Sequence, residues 1–243
     1  MSETEKNKLE EGPQHYRLHG APDNANLVVR MLLEELGAAY DVIPVDRRTS
    51  AQKTDAYRRL NPQGLIPVLE CPGQDAPVFE TGAILLLLSE RHQSFAPSTS
   101  ASGRGRFLKW LFFLSNTLHS DLRISFKPHR YLSGDRDSAA FSEGLKKRIS
   151  HSFQLLEQEL AVSEGPFLLG SQLTCLDFYA AACARWAQIY GTAGRWPLED
   201  YPCLMQLLQR LESRPAIQKA CELERIEGAP FTRPVQVSLA QEF

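Results

Sequence analysis

The chain has 243 residues, 43% of them hydrophobic, which suits one or two domains with a full core. A formal charge of −2 excludes the strong field that nucleic acid or an anionic membrane surface would require; Arg47-Arg48, Arg58-Arg59 and Lys146-Lys147-Arg148 read as solvated helix faces. Five cysteines form no C-x-x-C pair and six histidines form no H-E-x-x-H arrangement, so the expectation is free thiols in a reducing cytoplasm and no metal. The longest apolar run, 83–88, is too short to span a bilayer, and no signal segment is predicted.

Residues 1–14 are polar and read as a tail. Tyr16-Arg17-Leu18-His19-Gly20 alternates and predicts a strand. Pro22-Asp23-Asn24-Ala25-Asn26 is a turn rich in helix-capping side chains. Leu27, Val28, Met31, Leu32 and Leu36 then repeat with helical spacing, and Gly37 ends that helix. A second strand follows at 40–46 and a short helix at 50–60. Asn61-Pro62 and Gly64 turn the chain, and Pro67 opens a strand that pairs with Val78-Phe79 as a hairpin. A helix is predicted over 81–91.

Residues 95–105 are rich in Ser, Ala, Gly and Pro, and no convincing strand appears after them. Helical spacing recurs at 106–122, 138–160, 173–189, 201–211 and 215–223. Thr174 and Asp177 form an S/T-x-x-D capping box, read as a folding element. The division that follows is a tail (1–14), an α/β domain (15–93), a linker (94–105), an all-helical domain (106–228) and a C-terminal tail (229–243).

Two stretches carry a resemblance. Asn61-Pro62-Gln63-Gly64-Leu65-Ile66-Pro67-Val68-Leu69 resembles the "NP-x-G-x-x-P-x-L" loop of the glutathione S-transferase superfamily, and Glu80-Thr81 resembles the acid-plus-hydroxyl opening of its next helix. Leu33-Glu34-Glu35-Leu36-Gly37 and Arg214-Pro215-Ala216 are similar to further family elements. The resemblance covers about 16–224 and implies a thioredoxin-like N-terminal domain followed by an all-helical one, which agrees with the βαβ, α, ββα order. It implies a cis Ile66–Pro67 bond, Ile66 main chain pairing with an extended peptide, and a γ-glutamyl group held by Thr81 and Glu80. Lys53, beside Gln52, sits where family members hold the glycyl carboxylate. Trp110, Phe113, Leu114 and Thr117 are candidates for the electrophile half of the pocket. Dimerisation is implied by analogy, with the first domain of one chain meeting the helical domain of the other.

Glutathione chemistry needs a thiolate, and the family places its activating donor near the start of the first helix. From Leu18 to Gly37 the chain resembles the bacterial beta class, which has Cys then Ser where Ala25 and Asn26 stand; nu-like proteins carry Thr and Asn across positions 23–25. No Ser, Thr or Cys lies between His19 and Leu27. The donors that remain are the amides of Asn24 and Asn26, nearby backbone N–H groups and His19. Asp23 would repel a thiolate unless it faces solvent or caps the helix. Three readings follow: glutathione transfer to a small apolar electrophile, glutathione-dependent disulfide or peroxide reduction, and a non-catalytic binder of glutathione or a partner.

Overall fold

The computed structural model describes residues 15–132, 138–190 and 196–237. The tail expected at 1–14 and the end of that expected at 229–243 lie outside them. Strand β1 (Tyr16–Gly20) forms as its alternation predicts, with Leu18 buried in the core. It pairs in parallel with β2 (Tyr40–Pro44), Tyr16 opposite Tyr40. A parallel pair needs a crossover, and helix α1 (Asn26–Leu36) supplies it. Gly37 ends that helix at φ +61, a left-handed value that favours glycine.

A single helix is expected over 50–60, but the chain makes two pieces. A 3-10 turn (Ala51–Lys53) is followed by α2 (Asp55–Arg58). Thr54 between them is extended, and its side chain accepts the Tyr57 N–H, so it starts a new helix rather than continuing the old one. Strands β3 (Val68–Glu70) and β4 (Val78–Phe79) complete a sheet of order β2-β1-β3-β4, with β3 antiparallel to both neighbours. Helix α3 (Thr81–Arg91) then crosses to pack on α1.

The remaining described chain is helical. Helix α4 (Arg104–Phe112) runs through a π-helical turn (Phe113–Leu118) into α5 (His119–Phe126), a longer run than the 106–122 expected. Helices α6 (Ser138–Ala161), α7 (Cys175–Ile189), α8 (Pro202–Glu212) and α9 (Pro215–Leu223) follow. The Thr174–Asp177 capping box is formed, and Asp177 also accepts the Leu168 N–H at 2.8 Å, tying the preceding loop to α7. All but one of the fifteen residues of α7 are buried. The predicted thioredoxin-like and all-helical domains are both present, and one apolar core joins them, from Leu18 and Leu32 through Leu85 and Leu111 to Phe178 and Leu207.

Candidate functional site

Hairpin register sets the site. Val68 faces Phe79 as the last pair of the ladder, so Ile66-Pro67 and Glu80-Thr81 leave the hairpin from the same end. The Ile66–Pro67 bond is cis. The preceding loop is held from inside: the Leu65 carbonyl accepts from Asn61 Nδ2 at 2.8 Å and from the Tyr57 hydroxyl at 3.0 Å. Gly64 has φ +64, and a Cβ there would lie 2.8 Å from the Gln52 carbonyl. Only glycine fits that turn without displacing backbone. Among the described residues, neither the N–H nor the C=O of Ile66 has a backbone partner. Main chain at the rim is thus left open to an extended ligand.

Across from it, Glu80 stands at φ +73, a left-handed conformation that costs a non-glycine residue about 1–3 kcal/mol. Gln63 Nε2 donates to Glu80 Oε1 at 2.8 Å, which links the loop to the helix mouth. Glu80 is exposed, whereas Thr81 is buried. Gly82 rests against Ser115 of the π-helical turn, where an added Cβ would meet Ser115 Cβ at 3.3 Å. The first N–H groups of α3 have no acceptor among the described residues, and helix polarity makes that end attractive to an anion. Tyr179 of α7 is buried behind it, and its hydroxyl lies 2.8 Å from His119 Nδ1.

Residues 21–26 are fastened to the helical domain. Asp23 neither faces solvent nor caps α1; it turns into the protein, and both its oxygens meet Arg185 of α7 at 2.8 Å. Tyr190 adds a third bond to Asp23, also at 2.8 Å. Glu224, just past α9, accepts from Asp23 N, Asn26 Nδ2 and Arg30 Nε at 2.9, 2.8 and 2.6 Å. Burial raises the Glu224 carboxyl above its ordinary value, while Arg30 pulls it back. Asn26 is 1% exposed, with Oδ1 receiving the Ala21 N–H, so its side chain is a strut within the protein. Asn24 is half-buried; Nδ2 donates to Pro22 O at 2.8 Å, more weakly to Ala21 O at 3.5 Å, and Oδ1 accepts from Arg47. Neither asparagine side chain caps α1. His19 is committed to Glu70 at 2.5 Å.

Lys53 is exposed beside the Gly64 turn. Burial first, then Arg130, Arg47 and Lys53, lowers Lys127 at the end of α5, so cations from both domains face one corner. Gln52 Oε1 is buried there with no partner among the described residues. Trp110 and Leu114 are core, while Phe113 and Thr117 are half-buried. Among the described residues no group of three or more His, Cys, Asp and Glu is placed to hold a metal.

All five cysteines are free and their thiols are raised, by burial first: Cys175 and Cys221 to about 12, and Cys71, Cys183 and Cys203 upward as well. None of them supplies a thiolate at neutral pH. Any reactive sulfur at this site therefore belongs to a ligand.

A thioredoxin-like sheet with a cis-proline rim, an acid and a hydroxyl at the facing helix mouth, and a helical domain closing one side define a glutathione-transferase fold. The profile of the glutathione S-transferase N-terminal domain matches residues 27–91 and that of the C-terminal domain matches 120–222. The chain belongs to the glutathione S-transferase superfamily. It is 28% identical to the disulfide-bond oxidoreductase YfcG of Escherichia coli, across 84% of this chain and 93% of the relative. A glutathione transferase homologue from Sulfitobacter, solved with bound glutathione, superposes with a TM-score of 0.75 at 19% identity, over 86% of this chain and 98% of that one. A glutathione S-transferase from Pseudomonas fluorescens gives 0.70 at 26% identity, over 84% and 97%.

The site contains residues that sequence reasoning left without a role. Gln63 and Tyr57 hold the loop, and only Gln63 lay inside the quoted motif. Arg185 and Glu224 reach the first domain from far along the chain, and no local pattern marks them.

Proposed function

We propose that the protein binds glutathione and activates its thiol for attack on a small apolar electrophile. The observation that carries this reading is the unpaired Ile66 main chain at the same end of the hairpin as the Glu80–Thr81 helix mouth. The cysteinyl segment adds to the Ile66 backbone as a short strand, with Pro67 at its edge. The γ-glutamyl carboxylate receives the first N–H groups of α3 and the Thr81 hydroxyl, and Glu80 takes the ammonium. The glycyl carboxylate lies toward Lys53, in the corner shared with Lys127, where the orphaned Gln52 amide gains a partner. Asn24 is the side chain assigned to the sulfur, its Nδ2 giving up the long bond to Ala21 O at 3.5 Å for the thiolate, with backbone N–H groups at the start of α1. Asn26, named with it from the sequence, holds the loop that presents Asn24. The thiolate forms a C–S bond to the electrophile, the leaving group departs with its electron pair, and the thiol proton passes to solvent.

A second reading, disulfide reduction, is favoured by the cations Lys127 and Arg130 on the helical side of the site. There the bound thiolate attacks a mixed disulfide of glutathione; one S–S bond forms, another breaks, and the second thiolate leaves. We further propose a cytoplasmic homodimer, supported by five free cysteines and by Phe112, which is 55% exposed on α4. Light scattering checks the mass.

Ultraviolet titration of the bound glutathione thiol, in wild type and Asn24→Ala, tests the assignment. The expected result is a thiol pKa below that of free glutathione, with part of the shift lost in the variant. Tight binding with an unshifted thiol would leave a binder without chemistry. Turnover with an aryl halide against turnover with a mixed disulfide separates the two reactions.

A further inference from the structure

We propose that Arg185 is a positioning residue for the sulfur-presenting loop, and that the C-terminal segment 229–237 acts on that loop through it. The inference rests on the glutathione reading above, in which Asn24 serves the sulfur. Asp23, one residue earlier, stands at φ +51, a left-handed value that a residue with a side chain keeps only where its surroundings over-determine it. They do so here. Arg185 Nε and Nη2 meet the two carboxylate oxygens at 2.8 Å, Tyr190 adds its hydroxyl at 2.8 Å, and Glu224 receives the Asp23 N–H at 2.9 Å. If the guanidinium turns, Asp23 can relax toward negative φ, and the backbone carries Asn24 out of place.

What sets the guanidinium is the segment 229–237. It contains no helix or strand, and three side chains hold its main chain, with Phe231 buried as an apolar anchor. Arg185 donates Nη1 to the Pro230 carbonyl and Nη2 to that of Val235, at 2.9 Å each. Gln188, about one turn along α7, donates to the Phe231 carbonyl at 2.7 Å. Glu212, the last residue of α8, receives the Phe231 and Thr232 N–H groups at 2.7 Å each. A guanidinium is planar and its donors form a rigid fork, so the carbonyls it serves in the segment fix the plane in which it meets Asp23. Outside, the segment borders a cavity of about 910 Å³, which Ala229, Pro230 and Arg233 line together with Cys221 and Glu222 of α9. Hydrogen bonds from within therefore fasten the chain beside Phe231, and there is room for it to shift outward.

The test breaks this hold at its remote end and at its junction, in the full chain. Glu212→Met removes the acceptor of two segment N–H groups, and Arg185→Lys replaces the fork by a point charge. Ultraviolet titration of bound glutathione should show the thiol pKa moving up, toward that of the free peptide, in both variants. Each unit of that shift lowers the thiolate absorbance at pH 7 by up to about tenfold. The dissociation constant for glutathione, set at Ile66 and Thr81, should stay unchanged. Loss of the Glu212 charge alone would move the thiol the other way, because removing a carboxylate favours a thiolate. A segment that only stabilises the fold would lower the melting temperature and leave the bound thiol where wild type has it; that result overturns the inference. Wild type that binds no glutathione, or binds it with an unshifted thiol, overturns the transfer reading, and the inference with it. Should Arg185→Lys fail to fold, Glu212→Met decides alone.

Discussion

Asp23→Ala should be among the most destabilising substitutions in the first domain, because of what it leaves behind. Arg185 is fully buried and donates Nε and Nη2 to Asp23, Nη1 to the Pro230 carbonyl and Nη2 also to the Val235 carbonyl, the last two at 2.9 Å each. Removing the carboxylate leaves a guanidinium charge in a dry site with neutral partners only, and takes the acceptor from Tyr190. Breaking one partner of such a pair costs about 3–5 kcal/mol. Arg185→Met should cost a similar amount, since it strands the Asp23 carboxylate. Independent effects would sum to about 6–10 kcal/mol, whereas the double variant, which strands no charge, should lose only about 3–5 kcal/mol. At about 2–4 °C per kcal/mol for a chain of this size, each single variant should melt roughly 6–20 °C lower. Urea unfolding followed by circular dichroism gives the midpoints and the coupling energy. Asp23→Ala within about 1 kcal/mol of wild type, or strict additivity in the double variant, would refute the reasoning.

Thr81→Ala should weaken glutathione binding by about 0.5–2 kcal/mol if the hydroxyl acts toward the carboxylate as a helix cap does; calorimetry that finds an unchanged dissociation constant removes that role. Gly64→Ala should destabilise the protein by at least about 1 kcal/mol and loosen the ligand loop, since a left-handed residue acquires a Cβ 2.8 Å from the Gln52 carbonyl. A melting temperature equal to wild type would contradict this. Burial raises Asp177 to about 6, above its ordinary value near 4, so the native state holds more protons in that interval. The stability this group contributes is fully present below about pH 4 and falls as pH rises to about 6, by roughly 2–3 kcal/mol. Asp177→Asn should therefore lose more stability relative to wild type at pH 4 than at pH 7; a difference independent of pH would sink the assignment.

Much of the fold was legible in local chemistry. Strand β1, the β3–β4 hairpin and helix α3 fall at the predicted residues, because Gly20, Pro67 and the Glu80–Thr81 step are themselves the boundary signals. The break at Thr54 was not, since a threonine inside a polar stretch reads as easily mid-helix as at a cap. Asp23 reads locally as a surface or capping group, the choices its neighbours offer. Its partners lie 162 and 201 residues away, at Arg185 and Glu224, and helical periodicity marks Arg185 only as an interruption in an apolar face. The wide turn at Phe113–Leu118 left no trace in a pattern counted at 3.6 residues per turn.

Glu224 has a consequence for how the molecule comes into being. It joins Asp23, Asn26 and Arg30 from the far end of the chain. During synthesis the sheet and α1 leave the ribosome long before this carboxylate exists, so Arg30 and the 21–26 loop wait unmatched beside an unfinished core. The bend that would present the reactive sulfur emerges early and settles late, and a fragment halted after α3 would carry the ligand motifs without the clamp that shapes them.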